Sequence, residues 1–428
     1  MGSEWGVMPL KEAFHINPSV SLERGKEYEH VSMQAIDTTV RQVKSDSKRI
    51  YQGGGSRFLH GDTLFARITP CLENGKIAQF FSSLPAKGGF GSTEFIVLRG
   101  KEGTTERDFT YYFALSPAFR EYAIGQMTGT SGRQRVPIDS LLDYEVDLPS
   151  IIEQRAIAHI LGTLDDKIEL NRRMNETLEG IARAIFKSWF VDFDPVHAKA
   201  EGRDTGLPAH IADLFPSRFV DSDLGPIPEG WEVKSLDEIA NYQNGLALQK
   251  YPAKEGEAFL FRLKIRELRQ GHFDDRSEKS STSIKESCIV YDGDVVFSWS
   301  GSLLIDIWAG GTGALNQHLF KITSGEYPKW FYYFWTKHHL EAFQRIAADK
   351  ATTMGHIKRR HLSEAKAVVP SAGLISGLDE ILGSYLKIIL NLRIQSRSLS
   401  ELRDTLLPKL ISGELRLEDA ERFLGEVM

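Results

Sequence analysis

Cysteine is scarce: Cys71 and Cys288 are the only two in 428 residues, and they fall at non-equivalent places. A disulfide framework is not expected, and a reducing cytoplasm fits. No apolar run approaches the roughly 18 residues that would span a membrane. The opening Met1-Gly-Ser-Glu-Trp5 lacks a basic stretch followed by an apolar core, so no secretory signal is expected. The G-x-x-x-x-G-K-[ST] phosphate loop is missing, since Gly310-Gly-Thr-Gly313 runs into Ala-Leu-Asn. There is no G-x-G-x-x-G. No two prolines are adjacent, which removes the Pro-Pro tetrapeptide of aminomethyltransferases.

Metal-ligand spacing is equally sparse. Asp62, Glu73 and Lys76 approach a nuclease pattern, but the spacing is Glu-x-x-Lys, not Glu-x-Lys. His338, His339, His356 and His361 have no cysteines nearby and no H-E-x-x-H, so they read as surface or DNA-facing histidines, not ligands. No catalytic and no metal residue is expected. The net charge of −6 gives no sign of a nucleic-acid binder, but it is a sum over the whole chain. Binding needs only a local basic face.

What is present is a repeat. Trp5-Gly-Val-Met-Pro-Leu-Lys-Glu12 returns as Trp231-Glu-Val-Lys-Ser-Leu-Asp-Glu238, both W-x-V-x-x-L-x-E. Thr110-Tyr-Tyr-Phe113 returns as Phe331-Tyr-Tyr-Phe334, and from there to Ser150 and Ser371 the offset stays at 221 (331 − 110 and 371 − 150). A period this long makes each copy a whole domain plus connector. The offset is 226 at the tryptophans (231 − 5) and 232 at the glycines of a Gly-Asp turn (293 − 61). Insertions therefore collect inside the globular parts, as two readers of different targets would require.

Each copy begins irregular and strand-rich. Phe58 to Phe65 and Ile289 to Phe297 read as strand, Gly-Asp turn, strand; Phe95–Leu98 and Leu319–Ile322 are further strands. Asp108 to Ile124 and Pro328 to Ala347 read as aromatic helices. The clearest periodicity follows. Ile157, Leu164, Asn171, Leu178 and Ile185 recur every seven residues beside Leu161, Ile168, Asn175, Ala182 and Trp189. Adding 221 gives Leu378, Tyr385, Leu392, Leu399 and Leu406 beside Leu382, Ile389, Ser396, Arg403 and Leu410. Heptads this long predict a coiled-coil helix in each half. The shared register favours antiparallel pairing of the two; the other reading is two amphipathic helices, each packed on its own domain. Pro149 and Pro370 precede the helices, and Pro408 is expected to end the second.

The predicted fold is mixed α/β, with globular domains at 1–149 and 231–370. Long helices are expected at 150–192 and 371–428, with a turn-rich linker at 193–230. Basic, hydroxyl and glycine residues collect in Thr128–Val136 and Lys350–His361, a composition suited to phosphate and base contacts. The candidate DNA contacts are Arg67, Thr130, Ser131, Arg133, Gln134 and Arg135 in the first copy. In the second they are Lys264, Arg266, Arg269, Thr352, Thr353, His356, Lys358, Arg359 and Arg360.

Five stretches resemble the specificity subunit of type I restriction-modification systems. They are Gly61–Lys76, Pro149-Ser-Ile-Ile-Glu-Gln-Arg-Ala-Ile-Ala158, Ala184–Pro195, Ile227–Val233 and Leu406–Leu415. One departure is Pro370-Ser-Ala-Gly-Leu-Ile375, which lacks the Glu-Gln pair of the first helix start. The resemblance implies a DNA-binding subunit without catalytic residues, reading an asymmetric two-part site in double-stranded DNA. It also implies two methyltransferase partners, restriction subunits reached through them, and S-adenosylmethionine bound by the partner alone. The alternatives are the specificity subunit of a related bipartite system, a DNA-modifying enzyme with a degenerate motif, and a helical scaffold that does not bind DNA.

Overall fold

The computed structural model describes residues 5–417 apart from 83, 85–87, 131 and 350–354, and beyond these 419, 420 and 422. The chain divides into two compact units, 1–169 with 398–428 and 170–397.

In the first unit, a five-stranded sheet runs in the order Phe14–Ile16, Phe95–Gly100, Thr63–Ala66, Ile77–Phe80, Gln42–Val43. Thr63–Ala66 and Ile77–Phe80 are buried at every position, because both faces of this sheet are covered. Alternate side chains therefore enter different cores. Phe65, Ile77, Ile96 and Leu98 pack with the helices Arg107–Leu115 and Pro117–Gly125. Leu64, Ala78, Phe95 and Val97 pack with Val31 and Phe58. Those two belong to a four-stranded sheet ordered Ser47–Ile50, Glu27–Val31, Gly89–Gly91, Ser56–Phe58.

The second unit repeats this strand order. One sheet runs Asn241–Asn244, Leu319–Thr323, Val295–Ser298, Ile305–Ile307. The other runs Lys279–Ser281, Phe259–Leu263, Gly313–Leu315, Ile289–Val290. Among the described residues, the first unit alone has the strand Gln42–Val43, and the second alone has the helix Ile265–Gln270 among its strands. Each unit is closed by an antiparallel ribbon between the W-x-V segment and the strand before the long helix: Gly6–Pro9 with Glu145–Leu148, and Glu232–Ser235 with Lys366–Val369.

The Gly-Asp turns join strands as expected, but the strands on either side lie in different sheets, so each turn is a corner and not a hairpin. Gly61 and Gly293 hold φ of +90° and +92°, where a side chain would be strained. Asp62 Oδ2 accepts from the Leu59 amide at 2.7 Å, and Asp294 Oδ2 from the Tyr291 amide at 2.8 Å. A cation on the neighbouring strand completes each corner: Arg99 with Asp62 at 2.6 Å, Lys321 with Asp294 at 2.7 Å.

The central helix, Ile151–Phe190, is 40 residues long, about 60 Å at the usual rise. Ser150 and Glu153 cap it reciprocally, at 2.9 Å to the Ser150 amide and 3.3 Å to the Glu153 amide. Fully buried Gln154 accepts from the Glu106 amide (2.8 Å) and donates to the Thr104 and Pro149 carbonyls (2.9 Å each). This is the physical content of the Glu-Gln pair. At the second start Ser371 Oγ accepts from the Leu374 amide at 3.4 Å, and apolar Ile375 stands where Gln154 would be (375 − 221). That helix runs Ala372–Leu378, passes a π-turn at Asp379–Gly383, and continues as the distal helix Ser384–Ile411.

Each unit holds one piece of each long helix. In the first, Leu161, Leu164 and Ile168 share a core with Leu399, Leu406 and Leu410. Arg403 meets Asp165 at 2.7 Å, and Tyr112 donates to the same carboxylate at 2.7 Å. In the second, Ala182 and Phe186 share a core with Leu378, Leu382, Leu386 and Ile389, and Leu178, Ile185 and Tyr385 pack at its edge. There the Asn171 amide donates to Gln395 (2.8 Å) and Ser396 (3.3 Å), and Glu179 lies 3.7 Å from Arg393. Partner numbers fall as central-helix numbers rise, so the pieces run antiparallel. Leu392 is half-buried. Asn171, Ser396 and Arg403, which interrupt the heptads, find their partners across the helix pair.

Two readings need correction. Pro408 lies inside the distal helix, which continues to Ile411, because buried Leu407 and Leu410 hold the last turn in place. The segment after Phe190 is also more than turns. It forms the helix Asp194–Ala200 and the hairpin Phe219–Ser222/Gly225–Pro228, and buries Val196, Phe215 and Ile227 in the core of the second unit.

Candidate DNA interface

The basic loop of the first unit is built on the corner strand. Thr128 and Arg135 exchange backbone hydrogen bonds of 3.0 and 2.9 Å around a turn in which Gly129 and Gly132 have positive φ. The Thr69 amide donates to the Gln134 carbonyl at 3.0 Å, and the Val136 amide to the Arg67 carbonyl at 2.9 Å. The loop is thus stitched to the continuation of strand Thr63–Ala66, with an isolated bridge between Ile68 and Arg135. In the second unit Ser300 bridges His356, and the Ile357 amide donates to the Trp299 carbonyl at 3.0 Å. The offsets are 232 (300 − 68) and 221 (356 − 135), those of the corner and of the repeat. Both loops therefore occupy one topological position.

Side chains at these positions differ in what they have left to offer. Arg135 is exposed but held by Glu94 through contacts of 2.7, 2.9 and 3.0 Å. Arg133 and Thr130 are exposed, Arg67 and Gln134 half-buried, and Arg133 has no ion pair among the described residues. Arg359 donates to the Tyr242 carbonyl at 3.0 Å and stands over the Phe320 ring at 5.4 Å, which ties it to its own sheet. Lys358 and Arg360 are exposed without an ion pair among the described residues, and the His356 ring lies 6.4 Å from Trp299. Ser131, Thr352 and Thr353 lie outside the described residues.

The remaining basic candidates surround the helix Ile265–Gln270. Lys264 pairs with Glu278, and Arg266 with Glu267 (2.7 Å) and Asp274 (2.8 Å). Arg269 is exposed and has no ion pair among the described residues. Asp62, Glu73 and Lys76 do not converge: Asp62 is buried against Arg99, Glu73 is exposed, and Lys76 donates to the Met33 carbonyl at 2.6 Å. His339 has a structural role, its Nε2–H donating to the Lys366 carbonyl at 2.8 Å, and burial keeps it below the usual histidine range. Among the described residues, no group of three His, Cys, Asp or Glu side chains could hold a metal, and no helix is long and apolar enough to cross a membrane.

Residues 3–180 match the type I restriction modification DNA specificity domain. Relatives of that name cover most of the chain's length. One is the HindI specificity subunit of Haemophilus influenzae, 25% identical over 411 residues, with 83% of this chain and 86% of the relative covered. The chain is similar to type I restriction-modification specificity subunits over most of its length. A second such subunit, MjaIX of Methanocaldococcus jannaschii, is 27% identical over 405 residues, covering 92% and 85%. The type I S subunit from M. genitalium shares the specificity-subunit fold, with a TM-score of 0.51 at 17% identity, covering 95% and 96%.

Proposed function

We propose that this chain is a specificity subunit that reads an asymmetric two-part DNA sequence, one part with each unit, and that the paired long helices set the gap between the parts. The carrying observation is the duplicated corner. Two units of one strand order each present a basic loop at the same position, while their interiors differ by insertions. Loop backbone, hydroxyls and arginines supply phosphate contacts for register, and side chains such as Arg133, Lys358 and Arg360 supply base-edge contacts. The long helices also dock two methyltransferase subunits, and restriction subunits through them. S-adenosylmethionine is bound by the methyltransferase, and this chain contributes no catalytic group. The assembly works in the prokaryotic cytoplasm.

Sequencing of methylated adenines in the host genome tests the reading. A two-part motif with a fixed gap is the expected result; a continuous motif overturns it. Exchanging residues 1–149 for those of another family member should change one part only. Inserting a heptad into both long helices should move the gap and leave both parts intact. DNA affinity of the assembled complex should fall steeply with salt, because neutralised phosphates release counterions.

A further inference from the structure

Within the second unit, one face of the distal helix is bolted to the recognition fold. Arg393 Nη1 donates to Asp306 Oδ1 at 2.7 Å and to the Ile307 carbonyl at 2.9 Å. One turn later Arg397 grips Asp292 with two parallel bonds of 2.9 Å and donates to the Ala309 carbonyl. Asp292 also accepts from the Gly311 amide at 2.7 Å, which closes the loop after strand Ile305–Ile307. Leu390, one turn earlier, meets the corner glycine: a Cβ on Gly293 would come within 3.0 Å of Leu390 Cδ2. Residues 390, 393 and 397 are spaced by three and four, hence on one helix face. The contacts extend along the helix, so they resist rotation of the fold about the helix as well as sliding along it.

In the first repeat other residues stand at the positions of Arg397 and Asp292. Subtracting 221 places Arg172 and Glu176 at the positions of Arg393 and Arg397, and these two pair with one another. Subtracting 232 places His60 at the position of Asp292, and the His60 Nδ1 accepts from the Ser82 amide at 3.2 Å.

We propose that Arg393 and Arg397, acting through Asp306 and Asp292, are positioning residues for gap selection. This rests on the reading that the helices set the gap. A recognition surface about 13 Å from the helix, the radius of gyration of a 100-residue fold, moves by one base-pair rise, about 3.4 Å, for a turn of about 15°. Two bidentate or doubly accepted arginines hold a surface against such a turn far better than apolar contact, because their geometry is directional.

The test uses the complete complex with its methyltransferase and three DNA duplexes, carrying the native gap and gaps one base pair shorter and longer. The readout is the ratio of methylation rates. In Arg393→Ala/Arg397→Ala the preference for the native gap should fall about tenfold or more, with both recognised sequences unchanged. The milder Arg397→Gln, which keeps the packing, should shift the ratio in the same direction. The exchange Arg397→Asp with Asp292→Arg should restore it. Glu176→Ala should leave it alone. A merely structural role would slow all three duplexes equally, and a wild-type ratio in Arg397→Gln overturns the proposal. Equal rates for the wild-type complex on all three duplexes would instead overturn the spacer reading, and this proposal with it.

Discussion

Single residues carry the corners and the helix pair. Gly61→Ala would put a Cβ 2.4 Å from Arg107 Cδ in a left-handed conformation, and should cost about 1–3 kcal/mol in urea unfolding. The Arg403–Asp165 pair is nearly sealed, with side chains 12% and 5% exposed. Arg403→Met leaves a buried carboxylate and should cost about 3–5 kcal/mol. Adding Asp165→Leu should recover much of that loss, though not the hydrogen bond of Tyr112. If the double variant is as unstable as the single, the pair's charge is not what matters. Acid should weaken the second unit. Burial alone would raise Glu179, but Lys337 and Arg393 outweigh it and hold the carboxyl low; Arg397 does the same for Asp292. Carboxylates depressed in the fold stabilise it above their ordinary pKa, near 4, and that stability disappears as pH falls through the folded values. Unfolding followed from pH 6 to 2 should show this loss in the second unit. None of these pairs was legible in the sequence. Arg133 and Arg135 look alike on paper, and only the placement of Glu94, 41 residues away, separates the exposed cation from the one already engaged.

Elements were legible in proportion to how local their cause is. Heptads announced both long helices, because an apolar stripe needs only helical spacing. The Gly-Asp turns were visible as turns. That they pass the chain from one sheet to another was not, since local pattern fixes neither sheet membership nor neighbours. Pro408 obeyed a rule about backbone donors that packing overrode within a single turn. After Phe190, glycines and prolines advertised turns correctly, yet Val196, Phe215 and Ile227 reveal their burial only against Trp231 and Phe190. Gln154 shows how a short motif acquires meaning. Its side chain satisfies one amide and two carbonyls at the helix start, so Gln154→Ala should cost about 1–3 kcal/mol by leaving buried groups unpaired, while Ile375→Ala should cost a similar amount through lost packing. Thermal unfolding of the two variants would compare them.

At the scale of the molecule, the second unit is one unbroken stretch, 170–397, whereas the first is made from both ends of the chain. Leu10 and Phe14 share their core with Leu399, Leu406 and Leu410, and a Cβ on Gly413 would touch the Trp5 ring at 3.1 Å. A ribosome delivers those partners nearly four hundred residues apart. The strands around Leu10 and Phe14 must therefore wait, with apolar surface uncovered, until Leu399 to Leu410 emerge, while the second unit already has all its pieces. Maturation should run opposite to translation. Pulse-labelled hydrogen exchange on nascent chains should find Phe331–Phe334 protected before Tyr111–Ala114, and chains cut short before Ser398 should be the ones that chaperones hold.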